Sequence, residues 1–315
     1  MKKTSKAPLL RHPKNPILTP DDMPFRCYTV MNSGAVKFGD KALLLLRVEY
    51  CDRSTHFHVA TSDDGVNFTV CEEEINYPLS LTEQHIGAAH RFDMRITPWE
   101  DFFYVNHAAW MPGGFGCGSG TATTKDFVNF TPMPYLIEPS NRNVVFFPEK
   151  INGMYARLDR PQDVDGKGGM WVSYSPDLTF WGMSMPINLK AANLGGSGWY
   201  INKCGATGVP IKTDKGWLVI YHATASTCST ENYYLGVMML DLKEPHKIVA
   251  APTEFILAAE KDYECIGQTP NVVFSGGAVE MPDGTLNVYY GGADTRMCLA
   301  TTTVNELVDY CFNNR

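Results

Sequence analysis

An aspartate and an arginine lie two residues apart in the segment 91–97, as Asp93 and Arg95. Alternate residues of a β-strand point to the same face, so these two side chains would lie side by side. The pair is then either a structural ion pair or an acid whose ionisation is controlled by a neighbouring cation. The spacing by itself favours the structural ion pair.

A second group of polar residues could bind an anion. Two amides and three cations lie near predicted strand ends: Asn141, Arg142, Asn143, Lys150 and Arg160. Guanidinium groups fit phosphate oxygens in a bidentate manner, so these side chains could converge on a phosphate. The alternative is a solvated rim, and the residues by themselves favour that alternative.

His222 and Asp294 each follow an apolar strand at an equivalent place. A histidine there is more often a core residue with satisfied hydrogen bonds, and a carboxylate there can simply cap a turn. Their register is more informative, because Arg47 and Arg160 also fall at or just past corresponding strands of a repeat. All four side chains could therefore meet at one axis.

The elements that would position these residues are strands that recur along the chain. Five runs of alternating strand-type residues start about 50 to 70 residues apart, which is typical of propeller blades. The runs cover residues 41–50, 101–110, 153–161, 216–224 and 284–295, and a polar turn closing on an aromatic residue follows three of them, at 62–68, 124–130 and 175–181. One such unit cannot bury its own apolar face, so several must stack. We therefore expect an all-β fold, a five-bladed β-propeller with a central pocket.

Other local patterns agree with this architecture. Short segments rich in β-branched and aromatic residues predict strands at 42–48, 57–60, 102–105, 170–173, 217–221, 235–240 and 286–290. One segment, 304–312, has the single apolar face of a short C-terminal helix. The glycine-rich stretches 112–120 and 195–198 predict long loops of the kind that cover one end of a propeller channel, where ligands bind.

The composition predicts a single domain over residues 1–315, with 44% apolar and 19% charged residues. A formal charge of −7 without a lysine and arginine cluster argues against a nucleic-acid partner. No signal-peptide pattern or bilayer-length apolar run is present, and the nine cysteines lack a C-x-x-C pair, so we expect a cytoplasmic protein with reduced thiols and no membrane partner. The histidine spacing and the absence of a P-loop pattern predict no metal, no nucleotide and no other cofactor.

An ordered set of motifs makes the chain similar to a known family. The motifs are Phe92-Asp93-Met94-Arg95, Asn141-Arg142-Asn143, 147–153, Leu158-Asp159-Arg160-Pro161, 216–222, 270–274 and 289–295. Together they resemble the β-mannoside phosphorylases of glycoside hydrolase family 130, from about residue 15 to residue 310.

The resemblance implies a five-bladed propeller that converts a β-mannoside and inorganic phosphate into α-mannose 1-phosphate and a shortened sugar, with inversion. It implies that Asp93 is the general acid and acts through the 3-hydroxyl of the mannosyl residue. It also implies phosphate-binding residues, which are Arg53, Arg142, Asn143, Arg160 and His222. The residues implied to bind the mannoside are Asn32, Ser33, Arg47, Arg95 and Asp294.

The chemistry of phosphorolysis agrees with this residue set. An inverting hydrolase needs a second carboxylate to activate water, whereas a phosphorylase needs one acid and several fixed cations that aim the phosphate. The chain departs from the family where Phe92 and Met94 flank the acid and where Thr207 interrupts a Gly-Ala-Gly run. Segments 110–121 and 191–203 also differ, and they are expected to change the site for the leaving sugar.

Two alternatives remain at this stage. One is a β-mannoside hydrolase on the same fold, which would lack the phosphate-binding cations. The other is a non-catalytic glycan-binding propeller, which could dispense with Asp93. The expected partners are a β-mannoside oligosaccharide and phosphate, and homo-oligomerisation is compatible with the sequence.

Overall fold

The computed structural model describes residues 7–87, 90–162, 168–189, 202–226 and 230–314. Within these ranges the chain forms five antiparallel sheets, one for each blade of a propeller, and the prediction of a five-bladed β-propeller is confirmed. Strand β2 contacts β6 and β20, β10 contacts β6 and β14, and β17 contacts β20, so neighbouring blades meet around a common axis. The bounds of these strands follow.

The first strand, β1 (Leu10–Arg11), is the outer strand of the last blade. The first blade contains β2 (Thr29–Phe38), β3 (Lys41–Glu49), β4 (Thr55–Ser62) and β5 (Thr69–Val70), and the second contains β6 (His90–Trp99), β7 (Phe102–Met111), β8 (Gly116–Thr124) and β9 (Phe130–Pro132). The third contains β10 (Asn141–Phe146), β11 (Tyr155–Pro161), β12 (Trp171–Ser175) and β13 (Gly182–Pro186).

The fourth blade has six strands, β14 (Lys203–Ala206), β15 (Ile211–Thr213), β16 (Gly216–Ser226), β17 (Glu231–Leu240), β18 (Ile248–Ala250) and β19 (Leu257–Ala258). The fifth contains β20 (Val273–Glu280), β21 (Leu286–Gly292) and β22 (Arg296–Thr302), and β1 pairs with β22. The short helices are α1 (Leu81–Ile86), α2 (Asp262–Cys265) and the predicted C-terminal helix α3 (Val304–Asn313), with a 3-10 turn at Pro20–Asp22.

The cores lie between blades, which explains the uninterrupted apolar run in β3. Leu44 and Leu46 pack towards Tyr289 of the fifth blade, whereas Leu43 and Leu45 pack towards Ile96 of the second. A strand that is buried on both faces reads as a continuous hydrophobic run because alternate side chains enter two different cores. The repeat thus positions the polar residues through aliphatic packing on both sides of each blade.

The polar turns seen in the sequence connect the third and fourth strands of a blade. In the first blade Asp64 Oδ1 accepts hydrogen bonds from the backbone N–H groups of Val66 and Asn67, at 2.9 and 2.8 Å. Asp126 and Asp177 make the same pair of bonds in the second and third blades. These side chains occupy donors that a tight turn would otherwise leave unpaired.

One of the two predicted loops has a different structure, and the other is not tested. Residues 112–120 are a hairpin and not a long loop, because β8 begins at Gly116 and pairs with β7 up to Met111. The stretch 195–198 lies outside the described residues. No described helix has both the length and the hydrophobicity needed to cross a membrane.

Candidate active site

The innermost strands of three blades carry the same irregularity near one end. The pairing register shifts between Met31 and Gly34 in β2, between Phe92 and Arg95 in β6, and between Arg142 and Val145 in β10. One polar residue in each of these bulges has a positive φ, which is 47° at Asn32, 56° at Asp93 and 57° at Asn143. Bulges of this kind re-aim a side chain, and unusual backbone angles cluster at functional sites.

Asp93 and Asn32 open into one cavity of about 200 Å³ at the centre of the ring. Its walls come from the first, second, third, fourth and fifth blades, and its lining residues are Asn32, Arg47, His90, Phe92, Asp93, Arg142, Tyr233, Val272, Phe274 and Asp294. The structure therefore brings together several residues that are far apart in the sequence. Each is held by a strand or by the turn that follows one.

Asp93 is 4% exposed and lies between two arginines. Arg47 Nη1 is 3.3 Å from Asp93 Oδ1, and Arg142 Nη2 is 3.6 Å from Asp93 Oδ2. Both guanidinium groups also lie 5.3 Å from the centre of the Phe92 ring, which limits their movement. Arg47 has a second acidic neighbour in Glu49, at 3.9 Å.

The Arg95 side chain does not pair with the Asp93 carboxylate, although strict strand alternation would place the two side by side. The bulge at Asp93 breaks the two-residue period, and Arg95 Nη1 donates to the backbone carbonyls of Asp93 and Met94 at 3.1 Å instead of to the Asp93 carboxylate. The guanidinium is fully buried over the ring of Phe274, and burial lowers the pKa of Arg95 to about 10. Arg95 thus supports the bulge that carries the acid and adds a buried positive charge behind it.

Arg160, His222 and Asn143 meet at a point marked by Gly205. A Cβ atom on Gly205 would lie 2.8 Å from His222 Cε1, 3.2 Å from Arg160 Cδ and 3.4 Å from Asn143 Cβ. The three residues come from the third and fourth blades, and only a glycine on β14 leaves room for them. Arg142 lies directly opposite Arg160 in the pairing of β10 with β11, which joins this group to the cavity.

The electrostatics of this group are unusual. Burial, followed by repulsion from Arg142, lowers the pKa of Arg160 to about 10. Burial also lowers the pKa of His222 well below its ordinary value, and Arg160, Arg95, Arg142 and Lys203 lower it further. Four cations thus surround an imidazole that is neutral at physiological pH.

Many buried polar atoms in this region have no hydrogen-bond partner in the described part of the chain. They include Nε of four arginines, both side-chain polar atoms of Asn143 and Nδ1 of His222; the arginines are Arg47, Arg95, Arg142 and Arg160. A buried polar group without a partner costs free energy, so a cluster of such groups indicates a site that a polar ligand fills. The charge of the cluster indicates an anion.

Asp294 is a second carboxylate in the cavity. Its Oδ1 accepts a 3.0 Å hydrogen bond from Asn32 Nδ2, and burial raises its pKa. Gly291 allows this contact, because a Cβ there would lie 2.2 Å from Asn32 Oδ1. The arrangement offers groups in the cavity that can bind sugar hydroxyls.

Arg53 and Ser33 belong to the predicted set but lie in neither the cavity nor the group around Gly205. The Arg53 side chain is 56% exposed, stacks on Tyr28 at 3.6 Å and pairs with Glu49 at 3.4 Å. Ser33 is fully buried, and its hydroxyl donates to the Met31 carbonyl at 3.4 Å. The bulge that turns Asn32 towards the axis therefore turns its neighbour into the protein.

The structure adds three residues that the sequence reasoning missed. His90 and Tyr233 line the cavity, and burial raises the pKa of Tyr233 to about 12. Lys203 contacts Glu231, and its Nζ lies 5.9 Å from the centre of the Tyr233 ring. The pairing of β14 with β16 and of β16 with β17 places Lys203 and Tyr233 opposite Thr224, two residues after His222. No sequence signal identifies them, because they reach the site through this pairing of strands.

Among the described residues, no cluster of histidine, cysteine, aspartate and glutamate has the arrangement of a metal site. The polar groups of the cavity are instead two arginines, one amide, one histidine, one tyrosine and two carboxylates. This donor set suits an anion beside a polyhydroxylated ligand.

Comparison with known proteins gives consistent matches over the whole chain. Residues 1–313 match the family model of glycoside hydrolase family 130, described as beta-1,4-mannooligosaccharide phosphorylase. The chain is 33% identical over 313 residues to the beta-1,4-mannooligosaccharide phosphorylase of Ruminococcus albus, a match that covers 95% of this chain and 90% of that protein. It is 35% identical over 304 residues to the 4-O-beta-D-mannosyl-D-glucose phosphorylase of Bacteroides fragilis, with 90% and 75% covered.

The same similarity is found among solved structures. The beta-1,2-mannobiose phosphorylase of Listeria innocua, solved with beta-1,2-mannobiose, superposes with a TM-score of 0.83 at 28% sequence identity. The match covers 97% of this chain and 99% of that one.

Proposed function

This chain belongs to glycoside hydrolase family 130, and from that premise we propose that it is an inverting β-mannoside phosphorylase. In the proposed reaction, inorganic phosphate displaces the leaving sugar from a β-mannoside and forms α-mannose 1-phosphate. The relatives are named as phosphorylases of β-mannosides, and this supports the same type of reaction for this chain. The stereochemistry and the residue roles are inferred from the site.

The observation that carries the proposal is the set of buried polar atoms without hydrogen-bond partners near Asp93. Nε of Arg142 and Arg160, the Asn143 amide and Nδ1 of His222 are buried and have no hydrogen-bond partner among the described residues. A phosphate bound there would pair with these groups and would offset the cost of burying them. We assign phosphate binding to these four residues, together with Lys203.

Asp93 is the proposed general acid. It lies where the phosphate-binding group meets the part of the cavity lined by Asn32 and Asp294, so an acid and a nucleophile would act on one anomeric carbon. A proton delivered to the leaving sugar oxygen lowers the barrier to departure, and a fixed phosphate supplies the nucleophile in position. One displacement from the opposite face gives inversion.

Asn32, Arg47 and Asp294 are the proposed contacts to the transferred mannosyl residue. Asn32 and Asp294 form a hydrogen-bonded pair that can donate to and accept from sugar hydroxyls. Arg47 links this pair to the acid, because it lines the same cavity and contacts Asp93.

Hydrolysis is a second candidate, because Asp294 provides a second carboxylate in the cavity. A general base must activate a water molecule on the face opposite the leaving group. The bond from Asn32 already engages Asp294 Oδ1, and the buried cations leave the nucleophile position positively charged. Both features favour phosphate over water as the nucleophile.

The domain assignment is also a proposal. We infer that residues 1–315 form one catalytic domain, because the family match extends over residues 1–313 and β1 completes the fifth blade. The cavity takes residues from all five blades, so no single blade would retain it.

The test is the phosphate dependence of sugar cleavage. β-1,4-Mannobiose, β-1,2-mannobiose and 4-O-β-mannosylglucose are incubated with and without phosphate, and mannose 1-phosphate is measured. The proposal predicts cleavage of at least one substrate with phosphate, background cleavage without it, and recovery of cleavage with arsenate. Equal cleavage with and without phosphate would establish the hydrolase, and sugar binding without cleavage under any condition would establish the non-catalytic alternative.

A further inference from the structure

A second cavity lies at the junction between the second and third blades. It has a volume of about 360 Å³, within the ~300 to 1,000 Å³ typical of ligand clefts. One wall is the segment 133–138, which leads from β9 to β10, and the other is the turn 178–181. We call this cavity the interblade groove. It shares no lining residue with the Asp93 cavity.

Aromatic rings form much of the interblade groove. Tyr135 on one wall is 63% exposed, and Phe180 on the other is 74% exposed. Trp181 also lines the groove and is held in place, since it stacks on Phe146 at 5.5 Å and its Nε1 donates to the Leu178 carbonyl at 3.1 Å. Exposed aromatic rings that share one cleft are typical of a binding surface.

A buried arginine lies at the base of this groove. The Arg157 side chain is 6% exposed, its Nε donates to Asp159 Oδ2 at 2.8 Å, and its guanidinium lies 4.2 Å from the centre of the Trp181 ring. Arg157 Nη1 and Asp159 Oδ1 have no hydrogen-bond partner among the described residues. A buried ion pair with one donor and one acceptor left unpartnered beside a cleft calls for a separate explanation.

We propose that the interblade groove is a second carbohydrate-binding site that takes a segment of a β-mannooligosaccharide. The C–H face of a pyranose carries slight positive charge and packs against the negative face of an aromatic ring, while its hydroxyls bond to a planar guanidinium and to carboxylates. Asp159 and the exposed Glu138 balance Arg157, so the groove is suited to a neutral ligand and disfavours an anionic one. The proposed function enters only in the choice of mannose as the sugar.

The proposal is tested with the double variant Tyr135→Ala/Phe180→Ala. Both side chains are exposed, so their removal should leave the fold intact, in contrast to removal of the packed Trp181. The matched control is Val128→Ala, a 68% exposed apolar residue on the corresponding turn of the second blade. All three proteins carry Asp93→Asn so that the sugar is not consumed during the measurement.

Binding of β-1,4-mannohexaose is measured by titration calorimetry. We expect two sites in the parent and in the control, and one site in the double variant. In proteins with Asp93 intact, the double variant should leave KM for mannobiose unchanged, because neither residue lines the Asp93 cavity. A single site in the parent, or two unchanged sites in the double variant, would overturn the proposal.

The two proposals fail in different ways. Calorimetry needs no turnover, so a second site would still be detected if the chain did not cleave β-mannosides. If the chain phosphorolyses β-mannosides and calorimetry finds no second site, the interblade groove is not a carbohydrate-binding site. The proposal for the active site would then still stand.

Discussion

The positive charge of the arginines around Asp93 exceeds the negative charge of the carboxylates in the cavity. Arg95 and Arg160 are buried, and burial lowers the pKa of each to about 10. A protein that maximised only its stability would replace such groups by apolar side chains or pair them fully. Their retention beside unpartnered amide and imidazole atoms is explained by an anionic ligand.

The acid role of Asp93 is tested by Asp93→Asn. The amide cannot donate the required proton, so turnover should fall by ~10²- to 10⁴-fold. The fold and the affinity for phosphate should be retained. Steady-state kinetics and phosphate titration measure the two effects. Turnover within about threefold of the parent would remove Asp93 from this role.

Phosphate binding is tested by comparing Arg142→Ala with Arg53→Ala. Loss of a charge-assisted hydrogen bond costs ~1.5 to 3 kcal/mol, so Arg142→Ala should raise KM for phosphate roughly 10- to 150-fold and change KM for the mannoside much less. Arg53 is exposed and lies outside the cavity, so Arg53→Ala should have little effect. A large rise of KM for phosphate in the Arg53→Ala variant would show that this arginine reaches phosphate, as the family resemblance implied.

The sequence could predict the residues whose position follows the repeat. Arg47 and Asp294 come at or after corresponding strands, and the structure places both in the cavity. Strand alternation failed at Arg95, because a bulge changes the period at Asp93. Lys203 and Tyr233 reach the site through strand pairing, which a single sequence does not specify.

At the level of elements, the bulges on the inner strands determine how polar groups reach the axis. The residues Asn32, Asp93 and Asn143 have positive φ, a region that asparagine, aspartate and glycine tolerate better than β-branched residues. The repeated strands, the polar turns and α3 could be predicted from periodicity and turn chemistry. The bulges could not, because they depend on the partner strand and not on a local pattern.

The bulge in β10 gives a prediction about stability. Asn143→Gly should keep the free energy of unfolding within about 1 kcal/mol, because glycine adopts a positive φ without strain. Asn143→Val should lower it by ~1 to 3 kcal/mol, because a β-branched residue is strained there. Both variants lose the side chain that is proposed to bind phosphate, so urea unfolding separates the backbone effect from the binding effect. Equal stability of the two variants would contradict this explanation of the bulge.

At the level of the whole molecule, the first strand closes the ring. Strand β1 pairs with β22, and Arg11 Nε contacts the fully buried Glu264 at 2.8 Å. Glu264 also accepts a 2.7 Å hydrogen bond from Tyr290 and bonds from the backbone N–H groups of Glu260 and Lys261. The closure thus joins residues more than 240 positions apart in the chain, which links the stability of the central cavity to the integrity of the whole ring.

The buried histidines predict a loss of stability in mild acid. Burial lowers the pKa of His222 well below its ordinary value and lowers that of His107 against the opposing effect of Glu83, so the unfolded chain binds more protons than the folded protein below pH 6.5. Stability therefore falls as pH decreases, by about 1.4 kcal/mol per pH unit for His222 and by less for His107. Urea unfolding between pH 7.5 and about 5 measures this slope.

The variant His222→Gln identifies one contributor to that slope. It should reduce the slope by about 1.4 kcal/mol per pH unit, because glutamine does not titrate. An unchanged slope would show that His222 is protonated in the folded protein.

The most direct test of the account is the identity of the bond formed at the anomeric carbon. A β-mannoside that the protein cleaves is incubated with excess phosphate and followed by proton and phosphorus NMR from the first turnover. Phosphate held by the buried cations and a single displacement predict α-mannose 1-phosphate, in a 1:1 ratio with the released sugar. Free mannose as the first product, or β-mannose 1-phosphate, would contradict the account.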